Sequence, residues 1–238
     1  MPGNVMYMRD NHVYTTWGER EDGLVISRHD LSSEINYINE HRIEYLDITS
    51  GDPRIYVDHA YREYLLQNLI ASKDDAQTAS HFTDIAHLRN CPQLKQLSLC
   101  GDLINSTMLS ELPHLHCLSL DNTFGKHTVD LSSLYLRTLY IQKPKRNIYG
   151  FEKLTTLVKL CIWNYQPKSR DLSELSALSN LQQLHLIQPR IDSLAGLEAL
   201  VSLRKLGVYK ARTLKDDSAL TRCTQPLEFT DDPNSSID

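Results

Sequence analysis

One short motif, with apolar residues at its first, fourth and sixth positions, recurs along the chain every 21 to 24 residues. Six copies keep the same register: Leu94-Leu97-Leu99, Leu115-Leu118-Leu120, Leu136-Leu139-Ile141, Leu157-Leu160-Ile162, Leu181-Leu184-Leu186 and Leu203-Leu206-Val208. A fixed period of this length is typical of a solenoid. Because no single repeat can bury its apolar side alone, the repeats must stack around one continuous core.

Each repeat combines two hydrophobic periods. The alternation of apolar and variable residues at the end of the motif predicts a short strand, since successive strand side chains point to opposite faces. Apolar residues then recur at every third position, as at Ile191, Leu194, Leu197 and Leu200. A period of three favours 3₁₀ turns over an α-helix. Each repeat is therefore predicted to be a strand, a turn and a return of 3₁₀ or short helix.

The strand register extends beyond the six motifs. Toward the amino terminus, two predicted strands lie 22 residues apart, one with Leu24 and Ile26 and the other with Leu46 and Ile48. An amphipathic helix is predicted between them, with Leu31, Ile35 and Ile38 on its apolar face. At the other end, Leu227 and Phe229 follow Leu206 and Val208 by 21 residues. These patterns predict nine strands. A tenth is placed at Leu66-Leu69-Ala71, although this stretch fits a helix face equally well.

The repeats resemble leucine-rich repeats of the short, internalin-like subtype, most closely at Leu181-Leu184-Leu186-Pro189-Ile191-Leu194-Leu197-Leu200. The resemblance implies an α/β leucine-rich repeat solenoid of nine or ten strands, with a curved parallel sheet on the concave side and 3₁₀ or short helices on the convex side. The family places asparagine three residues after the third apolar position. This chain has other residues there: Asp102, Thr123, Pro144, Tyr165, Pro189 and Ala211.

Four segments are expected along the chain. Residues 1–42 form an N-terminal capping region, 43–93 degenerate repeats, 94–214 the regular repeats, and 215–238 a C-terminal cap with an acidic tail. The 238 residues, of which 41% are hydrophobic, suffice for one substantial core.

The sequence also bears on the compartment. No secretory-signal pattern stands at the start, and no apolar run approaches the roughly 18 residues that span a bilayer. The five cysteines lack a metal-site or disulfide-framework spacing. We therefore expect a cytoplasmic protein with reduced thiols, among which Cys91 occupies a core position.

Charge is segregated along the chain. The formal charge is −7 over residues 1–92, +6 over 93–214 and −4 over 215–238. Residues 136–170 carry eight basic side chains and one acidic side chain. Such a field would steer an acidic partner toward the middle of the solenoid. The alternative interpretation is a solvated rim that keeps the protein soluble.

The binding residues are expected on the strands, because strand residues interleaved with the core leucines face the concave side. The large side chains at these positions fall in four consecutive repeats: Tyr140, Trp163, His185, Ile187 and Tyr209. Basic residues lie beside them on the strands, at Lys159 and Lys205, and in a loop that leaves a strand, at Lys143, Lys145 and Arg146. Large apolar residues that face solvent indicate a partner interface. The alternative is that these side chains stabilise the sheet without a partner.

No phosphate-binding loop, GxSxG elbow, HExxH helix or CxxC pair occurs in the sequence. The chain is therefore predicted to be a non-enzymatic protein-binding scaffold, without cofactor, metal site or membrane partner, and monomeric until bound. An acidic partner protein fits the basic segment, and a special case is a bacterial immunity or antitoxin-like protein that neutralises a toxin. Two alternatives are nucleic-acid binding through residues 137–170 and a recognition subunit of a ligase or signalling assembly.

Overall fold

A computed structural model describes residues 6–16, 22–49, 53, 57, 82–121, 127–142 and 147–231 of the chain. Its strands and α-helix are β1 (Met6–Arg9), β2 (His12–Thr16), β3 (Asp22–Ser27), α1 (Leu31–Glu40), β4 (Tyr45–Thr49), β5 (Phe82–Asp84), β6 (Gln96–Cys100), β7 (Asp102–Ile104), β8 (Cys117–Asp121), β9 (Val129–Asp130), β10 (Thr138–Ile141), β11 (Ile148–Tyr149), β12 (Lys159–Trp163), β13 (Gln183–Ile187), β14 (Lys205–Tyr209) and β15 (Glu228–Thr230). Short 3₁₀ helices span Ala86–Asn90, Ser106–Glu111, Phe151–Lys153, Ser173–Leu175, Leu197–Ala199 and Ser218–Arg222.

Within the described residues, eleven strands form the main sheet, in the order β1-β2-β3-β4-β6-β8-β10-β12-β13-β14-β15. The sheet is parallel from β3 onward, and the second leucines of the six motifs lie side by side from Leu97 to Leu206. All nine predicted strands are present, and the leucine-rich repeat solenoid is confirmed. The additional strands are β1 and β2, which pair antiparallel with each other and extend the sheet beyond β3.

The convex side carries the 3₁₀ helices that the three-residue period predicts. Ile191, Leu194, Leu197 and Leu200 are fully buried in the main core, which runs from β2 to the last 3₁₀ helix. The predicted amphipathic helix is α1, with Leu31, Ile35 and Ile38 facing the core. Two small parallel sheets, β9 with β11 and β5 with β7, link successive coils on the path from strand to 3₁₀ helix.

Between β4 and β6 the main sheet advances by one strand. Leu46 on β4 pairs with Leu97 on β6, so two neighbouring strands of the sheet join residues that are 51 positions apart in the sequence. The tenth strand predicted at Leu66-Leu69-Ala71 lies outside the described residues. The segment boundaries at residues 42, 93 and 214 stay predictions.

The register of the last strand differs from the predicted one. Phe229 pairs with Leu206 and Thr230 with Gly207, so Glu228 lies beside Lys205. The 21-residue spacing predicts instead that Phe229 pairs with Val208, two residues further along β14. A slip of two residues keeps every side chain on its face of the sheet, which is why the hydrophobic alternation alone does not reveal it. The last coil is longer than predicted, and its 3₁₀ helix Ser218–Arg222 is longer than the two before it.

A recurring aspartate turn stabilises the convex side in place of the asparagine ladder. In four coils an aspartate accepts a hydrogen bond at 2.9 Å from the backbone N–H two residues later: Ala86 to Asp84, Ser132 to Asp130, Ser173 to Asp171 and Ser218 to Asp216. This local turn is the usual reason for aspartate at such positions. It satisfies a backbone donor at the first residue of three 3₁₀ helices, which begin at Ala86, Ser173 and Ser218, and in the turn at Ser132.

These turns predict that acid destabilises the protein. The hydrogen bonds from Ser132 and Ser218 hold the pKa values of Asp130 and Asp216 below their ordinary value of 3.8, and those from Ala86 and Asn105 do the same for Asp84. A carboxyl group with a lowered folded pKa stabilises the fold above its unfolded pKa, and this contribution is lost as the pH falls through the folded pKa. We expect urea midpoints to be unaffected by these groups above pH 5 and to drop below pH 3.8.

Asp130→Asn provides the control for the acid prediction, because an asparagine side chain accepts the same backbone hydrogen bond without titrating. The variant should lose less stability on acidification than the wild type. Urea midpoints that stay constant down to pH 2.5 would contradict the prediction.

Tyr165 occupies one of the positions where the family has asparagine. The residue is buried, and its hydroxyl has no hydrogen-bond partner among the described residues. Burial raises the pKa of Tyr165, and the nearby carboxylates of Glu174, Asp171 and Glu152 add to the shift. Tyr165→Phe should therefore raise the free energy of unfolding by about 1 kcal/mol, because it removes a buried unsatisfied hydroxyl.

The matched control is Tyr14→Phe. Tyr14 is equally buried, but its hydroxyl lies 2.8 Å from that of Tyr37 and makes a hydrogen bond. This substitution should lower the unfolding free energy by about 1 kcal/mol. Thermal or urea unfolding measures both variants, and a loss of stability in Tyr165→Phe would contradict the assignment.

Candidate protein-binding face

The concave face is the side of the main sheet that points away from the leucine core. Its middle row, read from β4 to β14 by strand register, is Asp47, Ser98, Ser119, Tyr140, Cys161, His185 and Gly207. The row carries small or acidic side chains in the first half of the solenoid, whereas in the second half two large side chains, Tyr140 and His185, alternate with the small residues Cys161 and Gly207. The predicted concentration of large residues in the carboxyl-terminal repeats is therefore a feature of one continuous surface.

Five side chains, two from the middle row and three from the row two residues further along the strands, form a hydrophobic group separate from the main core, which we call the concave cluster: Tyr140, Cys161, Trp163, Ile187 and Tyr209. Trp163 ends β12, and its register partner on β13 is Ile187, which in turn lies opposite Tyr209 on β14. Tyr140 and Cys161 are register partners in the middle row. The cluster thus crosses four neighbouring strands.

The structure divides the predicted site residues by exposure. Tyr140, Trp163, Lys159 and Lys205 are half-buried, so each presents part of its side chain on the concave face. The expectation of solvent exposure is wrong for three residues, because the exposed fraction is 0% for His185, 7% for Ile187 and 4% for Tyr209. Lys143, Lys145 and Arg146 lie outside the described residues.

The burial of His185 and Tyr209 follows from the glycine between them. A Cβ atom on Gly207 would lie 2.4 to 2.6 Å from the hydroxyl, Cζ and Cε2 atoms of Tyr209, so the tyrosine ring lies back along β14 directly over this glycine. Its hydroxyl lies 3.3 Å from His185 Nδ1 on the neighbouring strand, and the two rings are nearly parallel. Tyr209 therefore covers Gly207 and His185 instead of projecting from the sheet.

Sequence reasoning missed the parts that Gly207 and Cys161 play. Cys161 is fully buried within the concave cluster, and burial raises the pKa of its thiol to about 12, against the opposing charge of Lys159. The thiol is therefore neutral and contributes as a small apolar group. The sequence feature that could have indicated this packing is the presence of a glycine and a cysteine in the same row as Tyr140 and His185. Small residues beside large ones leave space in which the large side chains can lie flat on the sheet.

A cation borders the cluster at the side where the strands begin. The Nζ atom of Lys159 lies 5.8 Å from the ring centroid of Tyr140, within the range of a cation–π interaction. Lys205 occupies the same row as Lys159, two strands away. The concave cluster therefore presents an aromatic and apolar surface with lysines along one side.

Other parts of the described structure are less well organised as sites. A groove of about 1140 Å³ on the flank is lined by Phe151, Tyr165 and side chains of both charges. One of its arginines, Arg170, is already bound to Asp192, and Glu174 accepts backbone hydrogen bonds from residues 168 and 169. Within the described ranges, no group of three or more His, Cys, Asp or Glu side chains could hold a metal ion. None of the helices described is long and apolar enough to cross a membrane.

Among the solved structures that resemble the chain are two internalins and a leucine-rich repeat domain of an effector. Internalin C2 of Listeria monocytogenes is 22% identical, with 62% of this chain and 75% of that chain covered and a TM-score of 0.43. Internalin F of the same organism is 17% identical, and the match covers 89% of this chain and 73% of that chain with a TM-score of 0.39. The leucine-rich repeat domain of the type III effector XopL is 16% identical, and the match covers 79% of this chain and 73% of that chain with a TM-score of 0.40.

No protein-family model and no curated protein matches the chain. At these identities and TM-scores, the likeness to solved structures concerns repeat architecture alone. The solenoid assignment itself rests on the strand register of the main sheet.

Proposed function

We propose that the chain is a non-enzymatic scaffold that binds a partner protein through the concave cluster. The observation that carries the proposal is the position of Tyr140 and Trp163, two half-buried aromatic residues on the sheet face opposite the core. Aromatic residues that are partly packed and partly accessible are the side chains that dominate protein interfaces. Fold alone would not support this function, since one fold serves many purposes.

The packing beneath these aromatic residues supports a preorganised site. Cys161, Ile187 and Tyr209 are buried against them, so the rings of Tyr140 and Trp163 are held in place before a partner arrives. Immobilising a free side chain at an interface costs about 0.5–1.5 kcal/mol, and a prepacked side chain avoids much of that cost. His185, Ile187 and Tyr209 then support the surface rather than contact the partner directly.

The partner's properties are a further part of the proposal. We propose an acidic protein, since Lys159 and Lys205 border the concave cluster. The scaffold would be monomeric until bound and would act in the cytoplasm. A bacterial immunity or antitoxin-like role, in which the concave face covers the active site of a toxin, is the special case that fits a single compact binding surface.

Trp163→Ala tests the proposed function. The affinity for the partner captured from the native source should fall about tenfold or more, because removing a central interface aromatic typically costs more than 1 kcal/mol. The melting temperature should change little, since Trp163 is only half-buried. Surface plasmon resonance and thermal unfolding measure the two quantities.

Tyr135→Ala is the matched control, because Tyr135 is an aromatic residue that is 80% exposed in the turn before β10, away from the concave cluster. It should leave the affinity unchanged. If Trp163→Ala instead lowers the melting temperature strongly and binding persists, the cluster serves only to stabilise the sheet and the proposed function is wrong.

A further inference from the structure

A residue with a left-handed backbone follows each of three strands of the concave cluster. Asn164, Gln188 and Lys210 come directly after the last residues of β12, β13 and β14, with φ values of 56°, 53° and 54°. In the sequence motif, each stands two residues after the third apolar position. Asn164 is half-buried, and Gln188 and Lys210 are exposed. We call these three residues the left-handed row.

The turn that leaves these strands imposes the left-handed backbone. Gly101 occupies the same motif position after β6, and its φ is 85°. Glycine adopts this conformation without steric cost and asparagine adopts it readily, whereas residues with longer side chains seldom do. Gln188 and Lys210 are therefore held in a conformation that their residue types disfavour.

Internal contacts do not account for the choice of residue at these two positions. Within the described ranges, neither the Gln188 side chain nor the Lys210 side chain makes a hydrogen bond or an ion pair with another part of the chain. By contrast, Arg170 is also left-handed, and its guanidinium binds Asp192. Backbone strain is concentrated at functional sites in proteins. The two side chains are therefore suited to contacts outside the chain.

The left-handed row is continuous with the concave cluster. The backbone N–H of Asn164 donates to the carbonyl of Ile187, and that of Gln188 donates to the carbonyl of Tyr209, both at 2.7 Å. These bonds continue the pairing of the main sheet beyond the last cluster residues. With about 4.8 Å between neighbouring strands, the two ends of the row are about 10 Å apart. A partner that covers the cluster would therefore meet the row where the strands end.

We propose that the left-handed row binds the backbone of an extended segment of the partner, an inference that rests on the proposed function. A carboxamide side chain offers both a donor and an acceptor, as a peptide group does, and a lysine ammonium offers three donors. A helix satisfies its own backbone groups, so an extended segment is the one whose peptide groups are available for such bonds. About three extended residues span the row. The side chains of this segment that face the sheet contact Trp163, which directly precedes Asn164.

A phage-displayed library of random twelve-residue peptides, selected on the wild-type protein, supplies the probe. Fluorescence anisotropy of the synthetic peptides should show an affinity at least fivefold lower in Gln188→Gly/Lys210→Gly, because hydrogen bonds to the peptide backbone are lost. The melting temperature of the same variant should rise by about 2–4 °C, since glycine relieves the left-handed backbone at both positions. Weaker binding by a more stable protein separates a lost contact from a damaged fold.

Arg42→Gly is the matched control. Arg42 is exposed, has a φ of 49° and lies between α1 and β4, outside the main sheet. Its replacement relieves the same backbone conformation and removes one cation, as Lys210→Gly does, and it should leave the peptide affinity within twofold. An equal loss of affinity in this control would overturn the inference. Gln188→Asn keeps the carboxamide on a residue type that tolerates the conformation, so it should bind more tightly than Gln188→Gly.

N-methylation of single peptide bonds in a selected peptide tests the contact with the backbone. At least one methylated bond should weaken binding to the wild type about fivefold, and the same bond should matter less than twofold in Gln188→Gly/Lys210→Gly. Such a difference is the coupling expected between two groups in contact. Equal effects of every methylation on both proteins would show that the row does not contact the peptide backbone, and the inference would be wrong.

The outcomes separate this inference from the proposed function. Binding that is lost in Trp163→Ala and unchanged in Gln188→Gly/Lys210→Gly would leave the proposed function standing and overturn the role of the row. Peptides that bind Trp163→Ala as tightly as the wild type would count against the proposed function. A selection that yields no peptide dependent on Gln188 and Lys210 would overturn the inference, as would a fluorescent single-stranded oligonucleotide that binds through these residues in place of a peptide.

Discussion

Gly196→Ala is expected to lower the free energy of unfolding by about 3 kcal/mol, since a left-handed residue with a side chain costs about 1–2 kcal/mol and a forced backbone shift a further 1–3. Gly196 has a φ of +92°, and a Cβ atom there would lie 2.6 Å from the backbone nitrogen of Ser173 in the preceding coil. The obstructing atoms are backbone, so a rotamer change cannot relieve the contact. Urea or thermal unfolding measures the loss.

The packing around Gly196 explains why the substitution is expected to weaken the stacking of one repeat on the next. Leu172 N–H donates to the carbonyl of Ala195 at 2.8 Å, which brings the two coils together at this point. Gly150 makes the same kind of contact, with a φ of +85° and Ser132 as its neighbour. In each case the glycine of one coil packs on the aspartate turn of the preceding coil, at Asp171 and Asp130.

Gly23→Ala is the comparison for this prediction. At Gly23 in β3 an added Cβ would find its nearest neighbour at 3.5 Å, an ordinary contact, and the backbone is not left-handed. We expect a change of less than about 1 kcal/mol there. If Gly196→Ala and Gly23→Ala proved equally stable, coil stacking would not depend on the close approach at Gly196.

The sheet could be predicted from the sequence because each strand repeats one rule. The second and third apolar residues of every motif point into the core, and a register error of one residue would bury polar side chains. The same rule does not detect a slip of two, which is the error at Phe229. The hairpin of β1 and β2 lacks the motif altogether, so the repeat pattern could not predict it.

The concave face was harder to predict, because its packing depends on neighbours in other strands. Alternation places Tyr209 on the solvent side of β14, and the backbone confirms that face. The ring is nevertheless buried, since Gly207 leaves the space that it fills and His185 lies within hydrogen-bond distance. Alternation within a single strand therefore predicts the face of the sheet on which a residue lies, but it does not predict whether the side chain is exposed to solvent.

The missing asparagine ladder illustrates a similar limit. The sequence shows that asparagine is absent from the expected position, and it also contains the aspartates that replace its role elsewhere in the coil. Asp130, Asp171 and Asp216 are spaced by 41 and 45 residues, about twice the repeat period, so the pattern skips coils. Their function becomes visible only when the hydrogen bonds from Ser132, Ser173 and Ser218 are seen together.

Gly207→Ala is expected to disrupt the concave cluster and to lower the free energy of unfolding by about 2–3 kcal/mol, the cost of adding a methyl group to a filled site. The added Cβ would lie 2.4 Å from the Tyr209 hydroxyl, so the ring must leave its position over residue 207. His185, which is 0% exposed in the wild type, then becomes accessible. Modification of His185 by diethylpyrocarbonate, followed by peptide mass mapping, detects this change.

The same substitution distinguishes a preorganised site from a passive surface. If Tyr209 and Ile187 hold Trp163 in place, displacing Tyr209 should weaken partner binding together with the loss of stability, although the substitution is made at Gly207 beneath the tyrosine ring. Gly23→Ala, a glycine-to-alanine change in a strand with room for the methyl group, should alter neither quantity. A Gly207→Ala protein in which His185 stays protected would show that the tyrosine ring does not depend on the glycine. Unchanged binding with His185 modified would show that the aromatic surface needs no support from the buried layer beneath it.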